Sequence, residues 1–242
     1  MRRMNWHTRY LQQAAWTREL REYLFDKAGL AGANRVLEVG CGTGAILREI
    51  HSPASLHGLD IQPAALAECR IHAPLVSLTH GDAHFLPYQD RSFDIVYCHF
   101  LLLWVNDPLQ VVREMARVGR IVLALAEPDY SLRVDEPASL KTLGEWQTEA
   151  LDRQGANPCF GASLAETFYK AGIRLIETGP IQSAEKKRSA DEWENEWAVI
   201  EADLADSIAG EDIQKMKVLD EQARRRGERV LNVPTFFAWG KS

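Results

Sequence analysis

The sequence predicts an α/β protein, a doubly wound and mostly parallel sheet with extra helices over one edge. Three observations predict it. Short apolar runs alternate with helical periodicity through the first half of the chain, the pattern of strands joined by crossover helices. Val36 to Val39 is an apolar run that leads at once into Gly40, Gly42 and Gly44, so bare backbone lies at the carboxyl end of a strand, where open α/β sheets bind ligands. The composition, 46% apolar and 26% charged over 242 residues, supports a substantial globular core.

Leu11, Ala14, Ala15, Leu20, Leu24 and Phe25 form an apolar stripe that predicts a helix over 9–28, closed by Gly29 and Gly32. Strands follow at 35–39 and 56–60, with a helix at 45–50 between them whose N-terminus adds unpaired N–H groups and a positive dipole end. Pro63 opens a helix to about Ile71, which is compatible with proline in a first turn. Further strands read at 75–79, 93–98 and 120–126, with a helix at 108–118. The second half is less regular: helices at 138–153 and 161–171, then a strand at 173–181. Ser189-Ala-Asp-Glu192 fits a capping box that opens a helix to about Ile208, with Trp193, Trp197, Ile200 and Leu204 as core or as a roof over the site. A polar helix at 211–226 precedes a last strand at 230–239, where Pro234 predicts a bulge or a bend.

The formal charge of −6 argues against a broad nucleic-acid footprint. Cys41, Cys69, Cys98 and Cys159 form no C-x-x-C pair, so reduced thiols and no metal site are expected. The absence of a long apolar run and of a signal peptide leads to the expectation of a cytoplasmic protein with no membrane span. Lys186-Lys-Arg188 and Arg224-Arg-Arg226 read as solvated surface.

Gly40, Gly42 and Ala45 satisfy the G-x-G-x-x-G/A dinucleotide pattern, and Asp60 lies where that pattern places a ribose acid. Alone, the loop leaves two cofactors open. Glu38 and the G-x-G-x-G spacing completed by Gly44 tip the balance: Glu38-Val-Gly-Cys-Gly-Thr-Gly44 resembles the first motif of class I S-adenosylmethionine-dependent methyltransferases. Phe85-Leu-Pro87 followed by Ser92-Phe-Asp94 is similar to a stretch of the ubiquinone/menaquinone-biosynthesis type within that family. The resemblance is close over 34–128. It implies a Rossmann-like, seven-stranded sheet with an antiparallel last strand, and a small-molecule methyl acceptor. It also implies S-adenosyl-L-methionine as cofactor, held by Glu38, Gly40, Cys41, Gly42, Gly44, Asp60, Ile61, Asp82, Ala83 and Cys98. In this reading Asp60 accepts from the ribose hydroxyls, Asp82 from the adenine amino group, and the Cys98 carbonyl from the methionine amine. Asp82 also reads as a plain helix N-cap.

The expected organisation is one domain over 1–242, with a helical lid at 1–30, a cofactor core at 34–128 and helical insertions at 129–172 and 189–226. Relatives with paired histidines after the fourth strand differ from this chain, which has Leu101-Leu-Leu-Trp104 there. His99 is a candidate general base or a structural histidine. Glu127 is a candidate to bind or deprotonate substrate, or a solvated turn acid. Tyr10, Gln13, Trp16, Leu103 and Tyr130 are candidate substrate-pocket residues. Trp6, Tyr10, Gln13 and Trp16 lie near one helical face. That face either closes over the cofactor, with Arg9 on the methionine carboxylate, or packs on the sheet. Two rival functions remain, an NAD-dependent oxidoreductase and a non-catalytic binding module of the same fold.

Overall fold

The computed structural model describes residues 6–181 and 190–242. In chain order the elements are α1 (Trp6–Trp16), α2 (Arg18–Lys27), β1 (Arg35–Val39), β2 (Ser55–Asp60), α3 (Pro63–His72), β3 (Ser77–His80), β4 (Phe93–Cys98), α4 (Pro108–Val118) and β5 (Gly119–Pro128). After them come β6 (Val134–Glu136), α5 (Lys141–Arg153), α6 (Leu164–Lys170), β7 (Arg174–Pro180), α7 (Ala190–Leu204), α8 (Gly210–Arg226), β8 (Val230–Asn232) and β9 (Thr235–Lys241).

Seven strands form one sheet in the order β3-β2-β1-β4-β5-β9-β7, with β9 antiparallel to both its neighbours. The pairs from β3 to β5 are parallel. Side chains that alternate along the central strands separate two cores, as the strand period of two requires. Val36, Ile95, Tyr97, Leu123 and Leu125 face a cluster completed by Leu24 and Phe25 of α2. Leu37, Val96, Val122 and Ala124 face the opposite cluster, with Val111, Val112 and Met115 of α4 and Phe168 of α6. The strand order switches direction at β1, running outward through β2 to β3 on one side and through β4 to β5 on the other, so the carboxyl ends of β1 and β4 border the crevice in which such sheets hold ligands. At the opposite edge, the Asp94 carboxylate accepts from the Asn34 and Arg35 N–H groups at 2.8 and 3.1 Å and ties the start of β4 to that of β1. A third core joins α5, α7 and α8, where Leu143, Trp193, Trp197 and Ile213 pack together as a cap.

Three expectations are corrected. The single helix at 9–28 is two, divided at Thr17. There Arg21 folds back, donating to the Ala14 carbonyl at 2.7 Å and to the Thr17 hydroxyl at 3.2 Å. The helix at 45–50 is only a 3-10 turn at Leu47–Glu49. Left-handed Gly44 on one side and Pro53 on the other leave too little chain to nucleate a longer helix. The last strand is two strands: β8 pairs with β6, an unforeseen strand, in a small separate sheet, and only β9 enters the main one. Pro234, with no N–H to donate, marks the break, and its carbonyl accepts from Asp129 N at 2.8 Å. The capping-box residue Ser189 and the Lys186–Arg188 run lie outside the described residues. Among the described residues, no helix is long and apolar enough to cross a membrane.

Candidate functional site

Residues 40–44 turn sharply at the end of β1. Gly40, Gly42 and Gly44 have φ of +72°, +51° and +78°, the left-handed region that glycine enters at little cost. Gly40 and Cys41 both donate to the Leu59 carbonyl, at 2.8 and 3.0 Å, which pins the turn to β2. Asp60 then divides its carboxylate: Oδ2 accepts from Gly42 N and Oδ1 from Gln62 N, both at 2.8 Å. A Cβ on Gly42 would lie 3.2 Å from the ring of Tyr10, so the loop and α1 leave a narrow slot between them. Glu38, at the base of the slot, is buried and accepts from the Tyr97 hydroxyl at 3.0 Å; burial holds its carboxyl well above the usual range.

After β3, Asp82 does not cap a helix. Its Oδ1 accepts from the backbone N of His84 at 2.9 Å and meets the His84 ring Nδ1 at 2.6 Å. Asp107 N donates to His84 Nε2, so the proton resides on Nδ1 and points at Asp82. These hydrogen bonds hold the Asp82 carboxyl below its ordinary range.

One cavity of about 2560 Å³ joins these parts. Its lining includes Glu38, Gly40, Cys41, Gly42, Asp60, Ile61, Asp82 and Ala83 on the sheet side. Arg9, Tyr10, Gln13 and Trp16 of α1 line it together with His99, Leu103 and Tyr130. It exceeds the roughly 300–1,000 Å³ of an ordinary ligand pocket, which leaves room for two reactants side by side. The residues present fit an adenosyl cofactor: a slot against glycine backbone, and an acid at the end of each of two adjacent strands. They do not fit a dinucleotide. No α-helix starts after the loop, and Gly42 N already donates to Asp60, so the diphosphate seat is lacking.

Comparison with known proteins agrees with this geometry. Residues 37–121 match the family model of a methyltransferase domain. The chain is 32% identical to a demethylmenaquinone methyltransferase of Bacillus mycoides over 174 residues, 68% of this chain and 69% of that one. It is 35% identical to a phosphatidylethanolamine N-methyltransferase of Cereibacter sphaeroides, over 53% of this chain and 70% of that one. The chain belongs to the class I S-adenosylmethionine-dependent methyltransferases. Among solved structures, a putative methyltransferase from Bacillus halodurans superposes with a TM-score of 0.63 at 16% identity, over 90% and 96% of the two chains, which speaks to the fold. The chain spans about half the length of several other curated relatives, with 54%, 45% and 48% of three of them matched.

Three expected site residues do not line the cavity. Gly44 faces α3 instead, and a Cβ there would lie 2.6 Å from the Cys69 sulfur. The Cys98 thiol is buried against Glu127. Glu127 is neither a solvated acid nor a substrate-facing one. Its carboxylate is fully buried and gathers the N–H groups of Leu101, Leu102 and Leu103 at 3.0, 3.0 and 3.2 Å. A register shift between Ala124 and Glu127 in the β5–β9 pairing turns the side chain inward. Burial pushes its carboxyl up to about 7 against those three donors. Phe100, at φ +52°, makes the reversal that brings residues 101–103 back onto it.

His99 lines the cavity, and its Nε2 lies 3.0 Å from the Thr17 hydroxyl, which also accepts from Arg21. Burial and the Arg21 charge push its pKa down to about 3. The ring is neutral at physiological pH and is a weak base. Arg9 stacks on Trp16, 5.1 Å from the ring centre. His7 joins α1 to the glycine loop, with Nδ1 at 2.8 Å from the Thr43 hydroxyl and its ring stacked on His72 at 3.5 Å. Thr17, Arg21, His7 and His84 were not singled out from the sequence. Their partners lie 28 to 82 residues away in several cases, and no local spacing marks them.

Proposed function

We propose that the chain transfers the methyl group of S-adenosylmethionine to a small organic acceptor bound between α1 and the cap of α5, α7 and α8. The observation that carries this reading is the continuous cavity that runs from the glycine loop, Asp60 and Asp82 to the cap helices. When bound, the cofactor supplies a methyl carbon already activated by a sulfonium. The chain's own work is then to align the acceptor and exclude water.

Each residue has a role in that work. Asp60 and Asp82 hold the ribose and adenine, with Ile61 and Ala83 beside them. Glu38 and the Gly40 to Gly42 backbone flank the methionine end, and Arg9 takes its carboxylate. Tyr10 closes over Gly42, and Trp16, Gln13, Leu103 and Tyr130 border the acceptor. His99 acts as a neutral orienting group rather than as a proton carrier, because a group with a pKa near 3 has little drive to take a proton at neutral pH. The acceptor therefore arrives as its own nucleophile. Two relatives that share the core act on demethylmenaquinone and on phosphatidylethanolamine, so the cap rather than the cofactor core selects the acceptor. The test is incorporation of labelled methyl from S-adenosylmethionine into a metabolite extract. A labelled small product is expected, and label in no small molecule would overturn the reading.

A further inference from the structure

The cap contributes several arginines to the cavity, and all but one are matched by a carboxylate. Arg133 and Arg229 share Asp135, at 2.6 and 2.9 Å, and Arg229 also meets Asp220. Asp220 is further held by the indole N–H groups of Trp193 and Trp197 at 2.6 and 2.9 Å. Arg225 pairs with Glu221. Arg224 lines the same cavity with no ion pair among the described residues, and its Nε is buried with no hydrogen-bond partner. Its guanidinium is held over the Trp193 ring, 5.1 Å from the centre. In the same cavity wall, Gln147 Oε1 of α5 is also buried without a donor.

A guanidinium that is partly desolvated, fixed in place and unpaired is costly unless an anion meets it. Stacking on Trp193 orients the planar fork but leaves its N–H groups to be satisfied. Asp135 and Asp220 are already engaged by Arg133, Arg229 and two indoles, so they do not compete for it, and no other carboxylate forms an ion pair with Arg224 among the described residues. We propose that Arg224 is the binding site for an anionic group of the methyl acceptor, a carboxylate or a phosphate, with the apolar wall of Leu143, Trp193 and Trp197 beneath the rest of the molecule. This rests on the methyltransferase reading and names the substrate class for that same cavity. Arg224-Arg-Arg226, read from the sequence as solvated surface, is thereby divided: Arg225 and Arg226 pair with Glu221 and Glu228, and Arg224 turns inward.

The experiment is calorimetry on the full chain saturated with S-adenosylhomocysteine, titrated with octanoate, octyl phosphate, octylamine and octanol. One or both anions should bind, and the amine and alcohol should not; octanoate alone assigns a carboxylate, octyl phosphate alone a phosphate. Arg224→Gln should weaken the anion by about tenfold or more, the scale of one charge-assisted hydrogen bond, with S-adenosylhomocysteine affinity unchanged. Arg224→Lys should restore part of the loss. Amine or alcohol binding as tight as the anions, no probe binding to the loaded chain, or an unchanged anion affinity in Arg224→Gln would each overturn the assignment. Failure of S-adenosylhomocysteine itself to bind would instead sink the methyltransferase reading.

Discussion

Replacing Asp60 by alanine probes the loop and the cofactor together. In the folded chain its two oxygens each accept one backbone N–H at 2.8 Å, from Gly42 and from Gln62, and each oxygen keeps lone pairs for a ribose hydroxyl. The site is half-buried at the cavity rim. The freed N–H groups can therefore regain water, and most of the loss should appear in binding rather than in stability. A hydrogen bond to a charged acceptor contributes about 1.5–3 kcal/mol, which corresponds to roughly 10- to 150-fold in affinity for S-adenosylhomocysteine. Asp60→Asn keeps one carbonyl oxygen and should fall between the two. The assay is isothermal titration, with circular dichroism as the check on folding. A folded Asp60→Ala chain that binds within about twofold of the parent would refute the ribose assignment.

Glu127→Ala should lower stability by about 3–5 kcal/mol, because it leaves buried N–H groups of residues 101–103 unpaired. Thermal unfolding should fall by roughly 10 °C or more, and a shift below about 2 °C would contradict the anchoring role. His99 makes one contribution of definite sign to the pH dependence: its folded pKa lies below the ordinary 6.5, so the unfolded chain binds more protons and this contribution to stability is lost as pH drops from 6.5 toward 3, while Glu127, raised to about 7, contributes the opposite sign between about 7 and 4.5. His7 and His57 are lowered by burial and nearby cations and act in the same direction as His99. In denaturant titrations at pH 7, 6, 5 and 4, His99→Asn should lose less stability, or gain more, toward acid than the parent, and a pH profile parallel to the parent's would remove His99 from the account. Removing residues 1–16 should abolish turnover and weaken S-adenosylhomocysteine, since α1 supplies Tyr10 over Gly42 and His7 on Thr43. Hydrogen exchange over 6–16 should slow on addition of S-adenosylhomocysteine, and unaltered protection would exclude a closing lid.

Much of the core was legible because its signals are local. Apolar alternation, three glycines at alternate positions and an acid at the end of β2 all lie within short windows, and they located the cavity floor. What could not be read depends on distant chain. Glu127 looked like a turn acid until a register shift in β5 turned it onto the N–H groups of residues 101–103. The break at Thr17 depends on Arg21, Ala14 and His99 meeting in three dimensions. The helix expected after the glycines failed for a local reason that periodicity hides, since Gly44 and Pro53 bracket a segment too short to propagate. β6 and β8 are three residues each and stabilise one another only as a pair, so neither could be recognised alone.

The most direct measurement is calorimetric titration of the full chain with S-adenosylhomocysteine and, separately, with NAD. A slot of glycine backbone, Asp60 and Asp82 with no diphosphate seat predicts saturable binding of S-adenosylhomocysteine and none of NAD. Saturable NAD binding without S-adenosylhomocysteine binding would contradict the account at its centre.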